Sequence, residues 1–265
     1  MLIVILIALL ALPTAYGGNS APIKLTKPVN ISRNASTSLA QDVLALDKFV
    51  YVAWLEVNDT TGLVDIYFKT SHNHGKSFGQ AVKLSSGEGF NFCPKIAGFG
   101  DNVYIIWLHE GEGDFGAKFR ASHDNGKHFD QQINFGSDTW YARADIAAYD
   151  DNVYLAFEHP AIPGTEAIFQ ASHDAGVTFG DPFIYRKGPC VGGETHVAAW
   201  KNDVYVTALD PCEDHSSLEF RASHNYGETF SRPIYIGADE IDDENQQVSI
   251  VAKDKFVYGL IVSGS

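Results

Sequence analysis

The sequence predicts an all-β chain folded as a β-propeller of about five four-stranded blades, on three observations. A Ser-His-(Asp/Asn)-x-Gly turn recurs four times, with its serines at Ser71, Ser122, Ser172 and Ser223, separated by 51, 50 and 51 residues. A Val-Tyr strand recurs in the same register, with tyrosines at Tyr51, Tyr104, Tyr154, Tyr205 and Tyr258. No segment carries a helical period, and the runs are β-branched and aromatic, punctuated by Asn, Asp and Gly. Four-stranded units repeated in tandem at about 51 residues bury their faces only against their neighbours, which is the propeller solution.

The elements follow in chain order. Residues 1–17, "MLIVILIALLALPTAYG", form an uncharged apolar run closing on small residues. They predict a secretory signal peptide; the absence of a positive leading segment keeps an uncleaved N-terminal tether as the second reading. Residues 18–265 carry the propeller. In each unit, strand one resembles "PKIAGF" (94–99) and strand two is the Val-Tyr strand. Strand three resembles "AKFRAS" (117–122) and strand four "QQINFG" (131–136). Residues 245–261 supply strands one and two of a fifth unit, and "KPVNISR" (27–33) aligns with a fourth strand, "VNIS" on "VKLS". The last blade is therefore incomplete, or shared between the two ends of the chain, or completed by a second chain in an oligomer.

The recurring turn resembles the Asp-box, S-x-D-x-G-x-x-(W/F), of sialidase-type (BNR) repeats. The arrangement over residues 27–261 is similar to exported archaeal repeat proteins with the same boxes. The resemblance implies a hairpin between strands three and four. It carries Ser71, Asn73, Gly75 and Phe78; Ser122, Asp124, Gly126 and Phe129; Ser172, Asp174, Gly176 and Phe179; and Ser223, Asn225, Gly227 and Phe230. The hydroxyl and the Asp or Asn oxygen bond their own turn, glycine supplies a positive φ, and the phenylalanine packs beneath the hairpin. Asn at 73 and 225 keeps those bonds without a charge, which a catalytic carboxylate would not tolerate. His72, His123, His173 and His224 repeat once per blade at the rim, well over ~15 Å apart by strand spacing, so they cannot share a metal within one chain.

Function is expected on the opposite face, in the loops joining strand four to one and two to three. Nine residues before the Val-Tyr tyrosines stand Asp42, Lys95, Asp145, His196 and Ser249; eleven before stand Ala40, Cys93, Arg143, Glu194 and Gln247. These polar positions should ring the channel mouth. The candidate ligand-binding set is Cys93, Lys95, Trp140, Tyr141, Arg143, Asp145, Glu194 and His196, with Phe90 and Phe92 as further stacking surface. Cys190 and Cys212 lie in adjacent loops and predict a disulfide in an oxidising compartment, leaving Cys93 over. The competing reading is a soft-metal site, copper by ligand type, from Cys93, His196 or His215. The acidic run 238–245 could hold Ca²⁺ through close carboxylates.

Composition narrows the partners. A net charge of −14 excludes nucleic acid and leaves a membrane only through an uncleaved N-terminal segment. Sequons at Asn30, Asn34 and Asn58 fit a secreted or extracytoplasmic cell-surface glycoprotein. Sialidase chemistry needs several arginines converging on a carboxylate, and only Arg143 falls at the channel. The preferred reading is a non-catalytic propeller binding a glycan or a cell-surface protein. The alternatives are a glycoside hydrolase using Asp145/Glu194 or Glu110/Glu158, and an extracytoplasmic metal-binding protein.

Overall fold

The structure is a computed structural model that describes residues 28–32, 36–86, 89–136, 143–161, 164–188, 194–212, 215–241, 247–254 and 256–262, with the pairs 5–6, 9–10 and 24–25. Every regular element among them is a β-strand. Four two-residue strands open the chain: β1 (Ile5–Leu6), β2 (Leu9–Leu10), β3 (Lys24–Leu25) and β4 (Val29–Asn30), with β1 paired to β4 and β2 to β3.

Four antiparallel units follow. The first is β5 (Ser38–Leu46), β6 (Phe49–Val57), β7 (Val64–Ser71) and β8 (Val82–Lys83); the second is β9 (Phe90–Phe99), β10 (Asn102–Gly111), β11 (Asp114–Ser122) and β12 (Ile133–Phe135). The third is β13 (Arg143–Tyr149), β14 (Asn152–Pro160), β15 (Thr165–Ser172) and β16 (Phe183–Gly188); the fourth is β17 (Thr195–Trp200), β18 (Asp203–Cys212), β19 (His215–Ser223) and β20 (Ile234–Ile241). A two-stranded sheet, β21 (Gln247–Lys253) and β22 (Phe256–Val262), ends the chain. A parallel bridge, Val64 to Phe90, links the first two units. The first strands contact one another in sequence, β5 to β9, β9 to β13, β13 to β17 and β17 to β21. Among the described residues no ladder joins β22 to β4 or β5.

Strands reach further than the sequence suggests. β9 starts at Phe90 rather than 94, and β11 at Asp114 rather than 117, so Cys93 and Glu110 lie within strands instead of loops. Strands one and two are joined by two-residue turns whose first residue has positive φ: Asp47, Gly100, Asp150, Lys201 and Asp254. Asp and Gly tolerate that conformation; Lys201 adopts it because the register leaves no alternative.

Each unit buries one face against the next. Tyr51, Ala53, Phe68 and Leu84 of the first unit pack on Ile96, Val103, Ile105 and Trp107 of the second. Tyr104, Ile106, Phe119 and Phe135 pack on Val153, Leu155 and Phe157. Tyr154, Ala156, Phe169 and Tyr185 pack on Val197, Val204 and Val206. One side is always the Tyr-x-apolar row, and the other is the alternate row of the next Val-Tyr strand. That alternation is the period of a strand with both faces buried.

The Ser-His turns lock the rim. Ser122 Oγ donates to Asp124 Oδ1 (2.9 Å) and accepts from Gly126 N (2.9 Å), while Asp124 Oδ1 accepts from His128 N (2.9 Å). Asn73 and Asn225 make the same turn bonds, to Ser77 N (2.9 Å) and Thr229 N (3.1 Å). The residue before each glycine, His74, Asn125, Ala175 or Tyr226, also has positive φ. The box phenylalanines reach beyond their own hairpins. Phe129, Phe179 and Phe230 lie edge-on to Phe68, Phe119 and Phe169 of the preceding unit, with centroids at 5.0, 5.2 and 4.9 Å. The histidines bond within their own unit, His173 to Asn152 (2.6 Å) and His224 to Asp203 (2.7 Å), and do not converge.

Gly126 has φ +79°, and a Cβ there would stand 2.7 Å from the Phe68 ring; Gly100 has φ +58° and open space around it. Gly126→Ala should therefore cost roughly 3 kcal/mol in denaturant unfolding and Gly100→Ala about 1. Equal costs would show that the box glycine is not wedged between units. Asp124→Asn, copying positions 73 and 225, should cost under about 1 kcal/mol in the same assay.

Candidate functional site

The first strands of successive units contact one another, and apart from the Val64–Phe90 bridge the outer edge of each carries no ladder among the described residues. Its free amides must find acceptors elsewhere. Carboxylates of the preceding unit supply them: Asp42 Oδ2 accepts from Ile96 N (2.8 Å), Asp145 Oδ2 from Val197 N (3.1 Å), and Glu194 Oε2 from Val248 N (2.7 Å). Asp42 and Asp145 stand at the same repeat position. In the second unit that position is Lys95, which has no acceptor to offer. In the fourth it is His196, and Glu194, two residues earlier, takes over the bond.

These substitutions leave cationic side chains where the first strands meet. A cavity of about 340 Å³ opens there, lined by Cys93, Lys95, Arg143, Asp145, Glu194 and His196 together with Gln41 and the strand starts Ala144, Thr195 and Val248. His196 lies between two carboxylates, Nδ1 at 3.2 Å from Asp145 Oδ2 and Nε2 at 3.5 Å from Glu194 Oε2. Burial by itself would lower its pKa; the hydrogen bonds and charges of Asp145 and Glu194 outweigh burial and raise it to about 9. His196 is therefore an imidazolium at neutral pH. Burial would raise Glu194, but His196, the Val248 amide and Arg143 Nη1 at 3.6 Å hold it below the usual carboxylate range. Asp42 is raised by burial, partly offset by the Ile96 amide and Lys95.

The strands are bent where the mouth forms. The β9–β10 register shifts between Ile106 and Leu108, and Cys93, on the bulged side, has φ +52° and is exposed as a free thiol. A second shift, between Leu39 and Asp42 of β5, brings Gln41 into the lining. Neither bulge is visible in the sequence, so Gln41 falls outside the positions selected by spacing.

Six of the eight sequence-selected binding residues thus share one cavity. Trp140 and Tyr141 lie outside the described residues, as do Cys190, Asn34, the 242–245 part of the acidic run and the side chains of 238–241, Cys212 and His215. The Cys190–Cys212 pairing and the Ca²⁺ reading fall there too. Among the described residues no three His, Cys, Asp or Glu side chains are grouped to hold a metal. Glu110 is exposed at the end of β10, whereas Glu158 is buried in β14. His109 is buried against Asn91 (3.0 Å), and burial lowers its pKa. Asn30 and Asn58 are exposed; Asn58 Oδ1 caps its own turn by accepting from Thr60 N (3.0 Å). No helix among the described residues is long and apolar enough to cross a membrane.

An all-β chain of stacked four-stranded units with a charged cavity where their first strands converge defines a propeller, and comparison with solved structures agrees. A Trypanosoma rangeli sialidase mutant with trans-sialidase activity superposes with TM-score 0.55 at 11% identity, over 93% of this chain and 46% of that one. Trypanosoma rangeli sialidase itself gives 0.56 at 12%, over 88% and 43%. A PL25 ulvan lyase bound to -[GlcA(1-4)Rha3S]- gives 0.54 at 11%, over 80% and 57%. The chain thus spans about half the length of these proteins, and the likeness is one of fold: a sialidase-like β-propeller. No protein-family model matches the sequence, and no curated protein does.

The His196 cluster has a pH signature. Its folded pKa of about 9 lies above the ordinary histidine value of 6.5, so its stabilisation is complete below about 6.5, declines between the two, and is gone above 9. Thermal melts from pH 6 to 10 should show wild type losing its advantage over His196→Gln as pH rises. A difference that stays constant or grows with pH would contradict the charged, clamped imidazolium.

Proposed function

We propose that this protein is an exported, non-catalytic β-propeller that binds a glycan at the channel mouth. The observation that carries it is the division of labour in the cavity. Asp145 and Glu194 there accept from backbone amides of the next unit, and Lys95, Arg143 and His196 bring three cationic side chains into the same lining, Arg143 and His196 beside those carboxylates. A volume of about 340 Å³ suits one or two sugar rings, near the lower end of small-ligand sites. The cations favour a sugar bearing a carboxylate, with Asp145 and Glu194 left to accept from hydroxyls.

The same geometry weighs against hydrolysis. A glycosidase needs one carboxylic acid with a raised pKa, free to protonate the leaving oxygen. Glu194 is held low, and Asp145 accepts from both His196 and Val197. Asp42 is raised, but its two oxygens are engaged by Ile96 N and Val43 N. The fold reading that accompanies this function is a ring of five blades, the last shared between residues 247–262 and 27–33.

A glycan array run beside a fluorogenic glycosidase panel tests the proposal. The expected result is retention of uronic- or sialic-acid glycans, weakened at least tenfold by Arg143→Ala, with no turnover. Turnover abolished by Glu194→Gln or Asp145→Asn would overturn it in favour of a hydrolase.

A further inference from the structure

Among the described residues the last unit has two strands, and its outer face is open. Tyr51, Tyr104 and Tyr154 are 0% exposed and Tyr205 is 7%, but Tyr258, at the same repeat position, is 56% exposed. Leu260 beside it is 63% exposed. The outer edge of β22 has no partner strand among the described residues. Gly259 replaces Ile105, Leu155 and Val206, and a cavity of about 400 Å³ remains between Phe220, Ile236, Ile250 and Val257.

The other end of the chain supplies the complement. Ile31, Leu84, Phe135 and Tyr185 are equivalent fourth-strand residues, 1%, 0%, 8% and 2% exposed, each buried on the following unit. Ile31 fills that place against Val52 and Trp54 of the first unit, so the strand through Val29 stands where the last blade's fourth strand belongs. Its partner is β1. In the four complete units, a third-strand phenylalanine always faces the first residue of the fourth strand: Phe68–Val82, Phe119–Ile133, Phe169–Phe183 and Phe220–Ile234. Leu6 faces Val29 in the same register, and Ile5 faces Asn30 as Tyr67 faces Lys83.

We propose that Ile5–Leu6 is retained as part of the third strand of the last blade, inserted between Val29–Asn30 and β22. This rests on and deepens the shared-blade reading, giving part of the apolar run a structural role. The inserted strand pairs the open edge of β22 and extends the sheet beside Tyr258 and Leu260. It also fixes a register. The third-strand phenylalanines face Ala53, Ile106, Ala156 and Thr207, so Leu6 lies opposite Leu260.

The test is a cross-link in the full-length chain. Opposed strand residues approach to about 4.5–5.5 Å between Cα atoms, within disulfide reach. In a Cys93→Ser background, Leu6→Cys with Leu260→Cys should form an intrachain disulfide identified by non-reducing mass spectrometry, and Leu6→Cys with Gly259→Cys should not. An exclusively interchain link, which would give the slot to a second copy, or no link at all, would overturn the proposal. The intact mass of the exported wild-type protein gives a check without substitutions: residues 1–10 present supports the proposal, and their removal overturns it. Ile31→Asp tests the shared blade separately. Strong destabilisation of that variant with no Leu6–Leu260 link keeps the shared fourth strand and rejects only the third.

Discussion

The whole arrangement depends on an unpaired edge. A four-stranded unit closes its ladders internally, but beyond the Val64–Phe90 bridge the outer edge of its first strand offers amides that no ladder among the described residues meets. Leaving such a group buried and unmet costs on the order of 1–3 kcal/mol, so an acceptor from outside the sheet stabilises the junction that has one. Asp42, Asp145 and Glu194 provide it across three junctions, bonding Ile96, Val197 and Val248. Apolar packing between faces supplies most of the burial. The carboxylate bonds add direction, fixing how each first strand sits against the next.

This requirement explains the mouth chemistry. Where the repeat position keeps its Asp, the residue is structural. Where it becomes Lys95 or His196, the structural bond is dropped or moved to Glu194, and a cation enters the cavity instead. Departure from a repeat's own rule, made at a cost to the local structure, is where function is to be sought. The clamped imidazolium of His196 shows the two roles meeting. It is held by one carboxylate from its own unit and one from the preceding unit, and each of those also bonds a backbone amide.

Much of this was legible in the sequence. Two motifs holding one period placed strand two and the Ser-His turn of each unit, because their residues serve backbone needs that recur: positive φ at Gly126, the Ser122 hydroxyl over its own turn, an aromatic at Phe129. Counting back from the Val-Tyr tyrosines brought Cys93, Lys95, Arg143, Asp145, Glu194 and His196 together, because antiparallel pairing carries register from strand two to strand one. Three things were not legible. Bulges at Cys93 and near Gln41 shift the register without a residue signature. The partner of Phe129 lies in the preceding unit, which no local pattern reveals. The commitment of Asp145 to the Val197 amide is a contact across 52 residues, visible only once the units are stacked.

Asp145 and Glu194 tie successive units together at the cavity that Lys95, Arg143 and His196 line beside them. Residue-resolved amide hydrogen exchange on Asp145→Ala tests that tie most directly. The account predicts that exchange at Val197 accelerates at least tenfold while Val206, in the same unit and facing Val197 across the β17–β18 ladder, keeps its wild-type rate. Unchanged exchange at Val197 would contradict it.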